Sequence, residues 1–235
     1  MLILGIDTSG RQGSVALLRA EGGQLLTLEI EALAVGQYSE TLLATIAGLL
    51  ARHNLPRTSL DLLAVASGPG SFTGLRVAIA TVKGLAEPFD TPVVAVSVLE
   101  AIALAAQIEG RVIAAMDAQR SEVFFGEYIV ESATPEASHM QREAMASFGD
   151  FTATFAAADP PPALFTPDEG LAERLRAAAL DTHLLTRPNA EAFARIAHRK
   201  FLAGVRADVA TLDANYLRRS DAEIFSHSKP GATHC

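Results

Sequence analysis

The sequence holds a single cysteine, Cys235, at its last position. No disulfide can form within one chain, which excludes a stapled secreted scaffold. Positive charge is scarce: 19 Lys and Arg stand against 27 Asp and Glu, a formal charge of -8. That balance gives no global electrostatic reason to bind nucleic acid directly. Long apolar runs are missing as well. The most apolar stretch, residues 92–106, is interrupted by Glu100 and is too short to span a bilayer. The amino end reads MLILGIDTS, with no basic residues ahead of its apolar run, so no signal peptide is expected. Histidines are scattered, at 53, 139, 183, 198, 227 and 234. None is spaced to share a helix face with another, and none lies beside a cysteine, so no metal site is expected. These absences imply a soluble, cytoplasmic protein.

What is present is ample core: 49% of the residues are hydrophobic and 20% charged, over a length that suits one large or two small domains. Most conspicuous is VASGPGSFTGLR, residues 65–76, a glycine turn between an aliphatic run and a Gly/Ala-rich amphipathic stretch. Strand, glycine turn and helix together make a phosphate cradle in many proteins. The known fingerprints fail here. A Walker A loop needs Gly-Lys-Ser/Thr, but Gly74 is followed by Leu75 and Arg76. A dinucleotide turn needs tighter glycine spacing than Gly68, Gly70 and Gly74, and an acid after the next strand. A hydrolase elbow needs glycines two residues to either side of its serine, whereas Ser71 has Pro69 and Thr73. Two readings remain. The helix start holds an anion, its free amides and the glycines allowing close approach; or Gly68 and Gly70 permit a tight turn and Gly74 permits close helix packing.

Periodicity places strands over residues 2–6, 14–18, 24–34, 61–66, 93–96 and 163–166. Helices are expected over 39–52, with Ser39 as cap, and over 73–86, 98–107, 168–179 and 189–203. Residues 132–162 read as looser chain, with a linker at the prolines 160–162. The last residues, 226–235, read as a disordered tail. One pattern recurs. RVIAAMDAQRSEVFFGEY, from Arg111, lies over LILGIDTSGRQGSVALL with Ile113 on Ile3 and Asp117 on Asp7. Strand, Asp, polar turn and strand appearing twice point to a duplicated unit. IDTSG also resembles an aspartic-protease turn, but the second copy reads Asp117-Ala118-Gln119, without the neighbouring hydroxyl and glycine, and that reading is rejected.

Two helices have too little polar surface. The first carries Leu42, Leu43, Ile46, Leu49 and Leu50 on one face, with a second stripe through Ala44, Ala47, Gly48 and Ala51. The second carries Leu75, Ile79 and Val82 on one face, and Gly74, Ala78 and Thr81 on another. A surface helix normally shows one apolar stripe and a broad polar face. These two should be covered on more than one side, by their own chain or by a partner. On the partner reading, glutamate at Ile46 or Ala78 should abolish pairing and leave the fold intact.

Taken in order, ILGIDTS, GQYSETLL, GPGSFTGLR, DAQRSEVFFGEY and NYLRRSDAE resemble the bacterial TsaB (YeaZ) family. The resemblance covers nearly the whole chain, and GPGSFTGLR is its most specific part. It implies an α/β fold of the actin/Hsp70/sugar-kinase superfamily, in degenerate form, with subdomains at 1–107 and 108–225. The last helix of the second would pack back on the first. It implies a role in making threonylcarbamoyladenosine in tRNA, as partner of a TsaD-like catalytic subunit and a TsaE-like ATPase, with tRNA met only through the complex. The paralogous catalytic subunit has two metal-binding histidines four apart where this chain has Val98 and Ile102, which cannot bind a metal. The resemblance therefore implies a scaffold that binds no cofactor alone, ATP and metal acting in the assembled complex. The docking face would comprise Tyr38, Ser39, Leu42, Leu43, Ile46, Ala47 and Leu50, together with Gly74, Leu75, Ala78, Ile79, Thr81 and Val82. The same helices would pair two copies when TsaD is absent. Asp7, Thr8, Ser9, Gly68, Gly70, Ser71 and Gly74 would be a vestigial phosphate loop. The alternative is an independent ATP-dependent phosphotransferase of that superfamily. Direct tRNA contact through Arg218 and Arg219 is a further, weaker expectation.

Overall fold

The computed structural model describes residues 1–34, 36–131, 138–215 and 217. The first half starts with three antiparallel strands, β1 (Leu2–Asp7), β2 (Gly13–Glu21) and β3 (Gln24–Leu33). Helix α1 (Tyr38–Arg52), strand β4 (Leu62–Gly68), helix α2 (Phe72–Ala86), strand β5 (Val93–Ser97) and helix α3 (Val98–Ala105) follow. Strands β4 and β5 join in parallel, giving the order β3-β2-β1-β4-β5.

The second half repeats the plan. Strands β6 (Gly110–Gln119), β7 (Glu122–Val130) and β8 (Ser138–Ser147) are antiparallel. Then come helix α4 (Phe148–Ala156), strand β9 (Ala163–Thr166), helix α5 (Glu169–Ala177), strand β10 (Thr182–Leu184) and helix α6 (Ala190–Leu202). The sheet order is β10-β9-β6-β7-β8, the first sheet's order read from the other end. The duplication reaches the turn chemistry. Asp7 Oδ1 accepts from the Ser9 amide at 2.8 Å, and Asp117 Oδ1 accepts from the Gln119 amide at 2.9 Å. Such a local carboxylate–amide bond fixes a polar turn directly after a strand.

The elements stack in five layers. Helices α1 and α2 cover the outer face of the first sheet, and α4 and α5 that of the second. Between the sheets lie α3 and α6, in one core with both inner faces. They are exchanged: α6 packs on β1, β2 and β4, while α3 packs on β6, β7 and β8. Strand β1 is therefore buried along its whole length, which explains why LILGID reads as continuous rather than alternating hydrophobicity. A side chain at Gly5 would collide with the Ala190 carbonyl, so glycine there is what lets α6 lie close on β1. Asn189 caps α6 as expected, its Oδ1 accepting from the Glu191 amide at 3.0 Å.

Three expectations need correction. Residues 138–156, read as loose chain, form β8 and α4. SHMQREAMAS has few of the β-branched and aromatic residues that mark strands, and it is ordered by pairing with β7. Helix α4 is capped by Ser147, whose hydroxyl accepts from the Asp150 amide, and is held by buried Phe151 and Phe155. Strand β10 has only three residues and left no readable period. Ser39 is not the cap of α1: the helix starts at Tyr38, whose hydroxyl lies 2.9 and 2.6 Å from the Gly10 and Arg11 carbonyls, and Ser39 stands exposed in the first turn. The expected tail, 226–235, and the Arg218-Arg219 pair lie outside the described residues.

Candidate functional site

A cleft of about 1110 Å³ opens between the two halves, where four turns converge. From the first half come the β1–β2 turn (Ser9 to Arg11) and the glycine turn leading into α2. From the second come their counterparts, the β6–β7 turn with Asp117, Gln119 and Arg120, and the β9–α5 turn with Asp168 and Glu169. Open α/β sheets present ligands a crevice at such carboxyl ends of strands.

The residues read as a phosphate loop are brought together, but they bond to one another. The Ser71 amide donates to the Ser9 carbonyl at 2.8 Å. The Gly74 amide donates to Ser71 Oγ at 3.2 Å, and the Leu75 amide to the Ser71 carbonyl at 2.9 Å. Thr8 Oγ1 donates to the Gly74 carbonyl at 2.7 Å. A Cβ at Gly70 would fall on the Ser9 carbonyl, and one at Gly74 on the Thr8 carbonyl, both nearer than 3.0 Å. Gly68, at φ +111°, faces the Asn215 carbonyl. The glycines are thus required by three close backbone approaches within the chain. The turn reading holds for Gly68 and Gly70. At Gly74 what packs closely is the β1–β2 turn rather than another helix.

Asp7 is 1% exposed. Burial raises its pKa, opposed by the Ser9 hydroxyl and amide bonds and by the nearby Arg187 guanidinium. Ser9 Oγ donates to Asp7 at 2.5 Å and accepts from Arg187 Nη2 at 3.0 Å. A magnesium nucleotide needs an outward carboxylate, free amides and cations around the phosphates. Here the carboxylate is enclosed and three amides at the helix start are engaged. The opposing turn presents Asp168 and Glu169, and Asp168 already accepts from the Asp117 amide at 2.7 Å. The cleft wall also carries Arg11 and Arg120. Among the described residues, no group of three His, Cys, Asp or Glu could hold a metal ion.

The two apolar helices each use one face internally. Tyr38, Leu42, Ile46 and Leu50 of α1, and Leu75, Ala78, Ile79 and Val82 of α2, are buried in the core with the first sheet, and Gly74 is buried against the β1–β2 turn. They give no surface to a partner. Because Ile46 is 2% and Ala78 0% exposed, glutamate at either would break the core and not pairing alone, which corrects the earlier expectation. Ser39, Leu43 and Ala47 remain outside, with Thr81 half-buried.

Further groups had no local signature in the sequence. Glu143 of β8 accepts from Ser97 Oγ, from the Tyr128 hydroxyl and, at 2.7 Å, from Asn215 Nδ2. Burial and the adjoining Glu143 charge push the Tyr128 pKa up. Glu100 of α3, 8% exposed, bonds to Lys200 of α6. A Cβ at Gly126, two residues before Tyr128 on β7, would lie 2.5 Å from the tyrosine ring.

Comparison with known proteins agrees with this architecture. A family profile described as "TsaD: tRNA N6-adenosine threonylcarbamoyltransferase" matches residues 32–160. The tRNA threonylcarbamoyladenosine biosynthesis protein TsaB of Haemophilus influenzae is 40% identical over 136 residues, 56% of this chain and 55% of that protein. The chain thus spans about half the length of that relative, and the E. coli TsaB is matched over the same share, 55%. The Bacillus subtilis TsaB is 29% identical over 231 residues, covering 95% and 96% of the two chains. The solved structure of YeaZ from Pseudomonas aeruginosa superposes with a TM-score of 0.71 at 28% identity, over 91% of this chain and 100% of that one. The repeated sheets, the profile match and this full-length likeness converge: the chain belongs to the TsaD-type threonylcarbamoyltransferase family and, within it, to its TsaB (YeaZ) members.

Proposed function

We propose that this chain is a non-catalytic partner subunit of the machinery that installs a threonylcarbamoyl group on the adenosine next to the tRNA anticodon. The outward face of α1 carries the reading. Leu43 is 59% exposed, and Ala44, Ala47 and Ala51 beside it are exposed too. On α2, which packs alongside, Thr73, Ala80 and Gly84 face outward. Small side chains around one large apolar residue let a partner's helix approach closely and gain burial energy.

The core of α3 supports placing the chemistry elsewhere. Val98 and Ile102, where the resemblance puts the ligands of the catalytic paralogue, are 1% and 0% exposed, and Glu100 between them is paired with Lys200. A TsaD-like subunit supplies the reacting groups. A TsaE-like ATPase joins the pair, ATP and metal act in the assembly, and tRNA is engaged through it. The same face pairs two copies of this chain when the catalytic subunit is absent. The names of the relatives supply the pathway.

The test is Leu43→Glu and Ala47→Glu, each titrated against a TsaD-type subunit in sedimentation experiments. Each should weaken the complex by about 100-fold or more, with circular dichroism unchanged. Complexes of full strength with both variants would end the proposal. No observation favours the phosphotransferase alternative. On this reading, calorimetric titration of the lone chain with Mg-ATP gives no low-micromolar binding.

A further inference from the structure

Past α6 the chain turns back over the first half. The Ala207 amide donates to the Val93 carbonyl at 2.8 Å, and Lys83 Nζ donates to the Ala210 carbonyl at 3.2 Å. Leu212 and Ala214 enter the core beneath α1 and α2. At Asn215 this strap meets both halves. Its amide donates to the Ser67 carbonyl at 2.7 Å, at the end of β4 and just before the glycine turn. Its side-chain Nδ2 donates across to Glu143 on β8. The other Glu143 oxygen accepts from Ser97, the last residue of β5, and from Tyr128 of β7. Asn215 and Leu217 also line the cleft.

One carboxylate therefore gathers the edge of the first sheet, two strands of the second, and the strap. Hydrogen bonds to an ionised acceptor are the strong kind, and sheltered networks of this sort hold one geometry. We propose that Glu143, through Asn215, pins the C-terminal strap across the two halves and thereby sets the width of the cleft. Displacing Asn215 from Glu143 frees the halves to move apart. The inference is independent of what docks on α1 and α2.

Polarity provides the test. In Glu143→Gln the charge is lost, and a weaker neutral amide–amide bond replaces the charge-assisted one to Asn215. In Asn215→Ala the bond is simply missing, at a half-buried position. The double variant Glu143→Gln with Asn215→Asp reverses donor and acceptor and restores the bond. Spin labels at Glu40→Cys and Glu173→Cys, in a Cys235→Ser background, report the distance between halves, and hydrogen exchange reports the strap. Both single variants should broaden the inter-label distances. They should also speed exchange at Ala207 and Asn215 roughly tenfold, and the double variant should reverse both effects. Unchanged inter-label distances in folded Asn215→Ala would overturn the proposal even if the strap exchanged faster, as would a double variant no better than its parents.

Discussion

Gly74→Ala separates two physical accounts of the glycine turn. Gly74 lies in the first turn of α2, and by helix propensity alone alanine there is stabilising by up to about 1 kcal/mol. The structure predicts the opposite sign. The new methyl would sit against the Thr8 carbonyl, a backbone atom in a turn already fixed by the Ser71–Ser9 and Thr8–Gly74 bonds. Overpacking against such a rigid neighbour costs about 3 kcal/mol. Parting the turns weakens one hydrogen bond, about 1 kcal/mol more. Set against the propensity gain, the net is a loss of roughly 3 kcal/mol. The control lies in the same helix: Gly84 is exposed, with nothing within 4 Å of an added Cβ, so Gly84→Ala should stabilise by about 0.5 kcal/mol. Urea unfolding at constant m-value measures both. If Gly74→Ala proved neutral or more stable than the parent, the turns would not be in the contact described, and the account of all three glycines would fall with it.

Three other perturbations follow from buried groups. Asp7 has its folded pKa raised by burial, so the folded state binds the extra proton and stability falls as pH rises from the unfolded value of 3.8 through the folded one. The difference in urea midpoint between the parent and Asp7→Asn should therefore move in favour of the variant across that window, and a flat difference would refute the burial argument. Lys200→Met removes one bond to the buried Glu100 carboxylate and should cost about 1–3 kcal/mol, most of it recovered in the Glu100→Gln/Lys200→Met double variant, as a double-mutant cycle will show. Ile46→Ala opens a cavity under α1 and should lower stability by about 2–4 kcal/mol in thermal unfolding, without touching the outward face.

Local signals in the sequence reached a definite distance. The hairpin around Asp7 and its echo at Asp117 announced a duplicated α/β unit, because a strand–Asp–turn–strand pattern lies within a few consecutive residues. The amphipathic stripes announced α1 and α2. They did not tell which stripe the chain itself would bury, since that depends on the sheet beneath, and the larger residues Leu42, Ile46 and Leu50 went inward while Leu43 stayed out. Strand β8 was illegible because it is ordered by β7 and not by its own composition. The bonds that organise the cleft are illegible for the same reason at longer range: Arg187 meets Ser9 across 178 positions, and Asn215 meets Glu143 across 72. No spacing rule spans such separations. Gly74 was legible as a need for smallness, and only the Thr8 carbonyl says why.

The exchange of α3 and α6 between the sheets bears on how the protein is made. When α3 has left the ribosome, the inner side of the opening sheet still lacks the helix that will roof it. Synthesis at about 5–20 residues per second leaves that side bare for several seconds, until α6 emerges. Neither half cut from the gene and expressed alone can bring the missing roof with it. Each fragment would be a sheet with one greasy side in water, seeking the other half or another copy of itself.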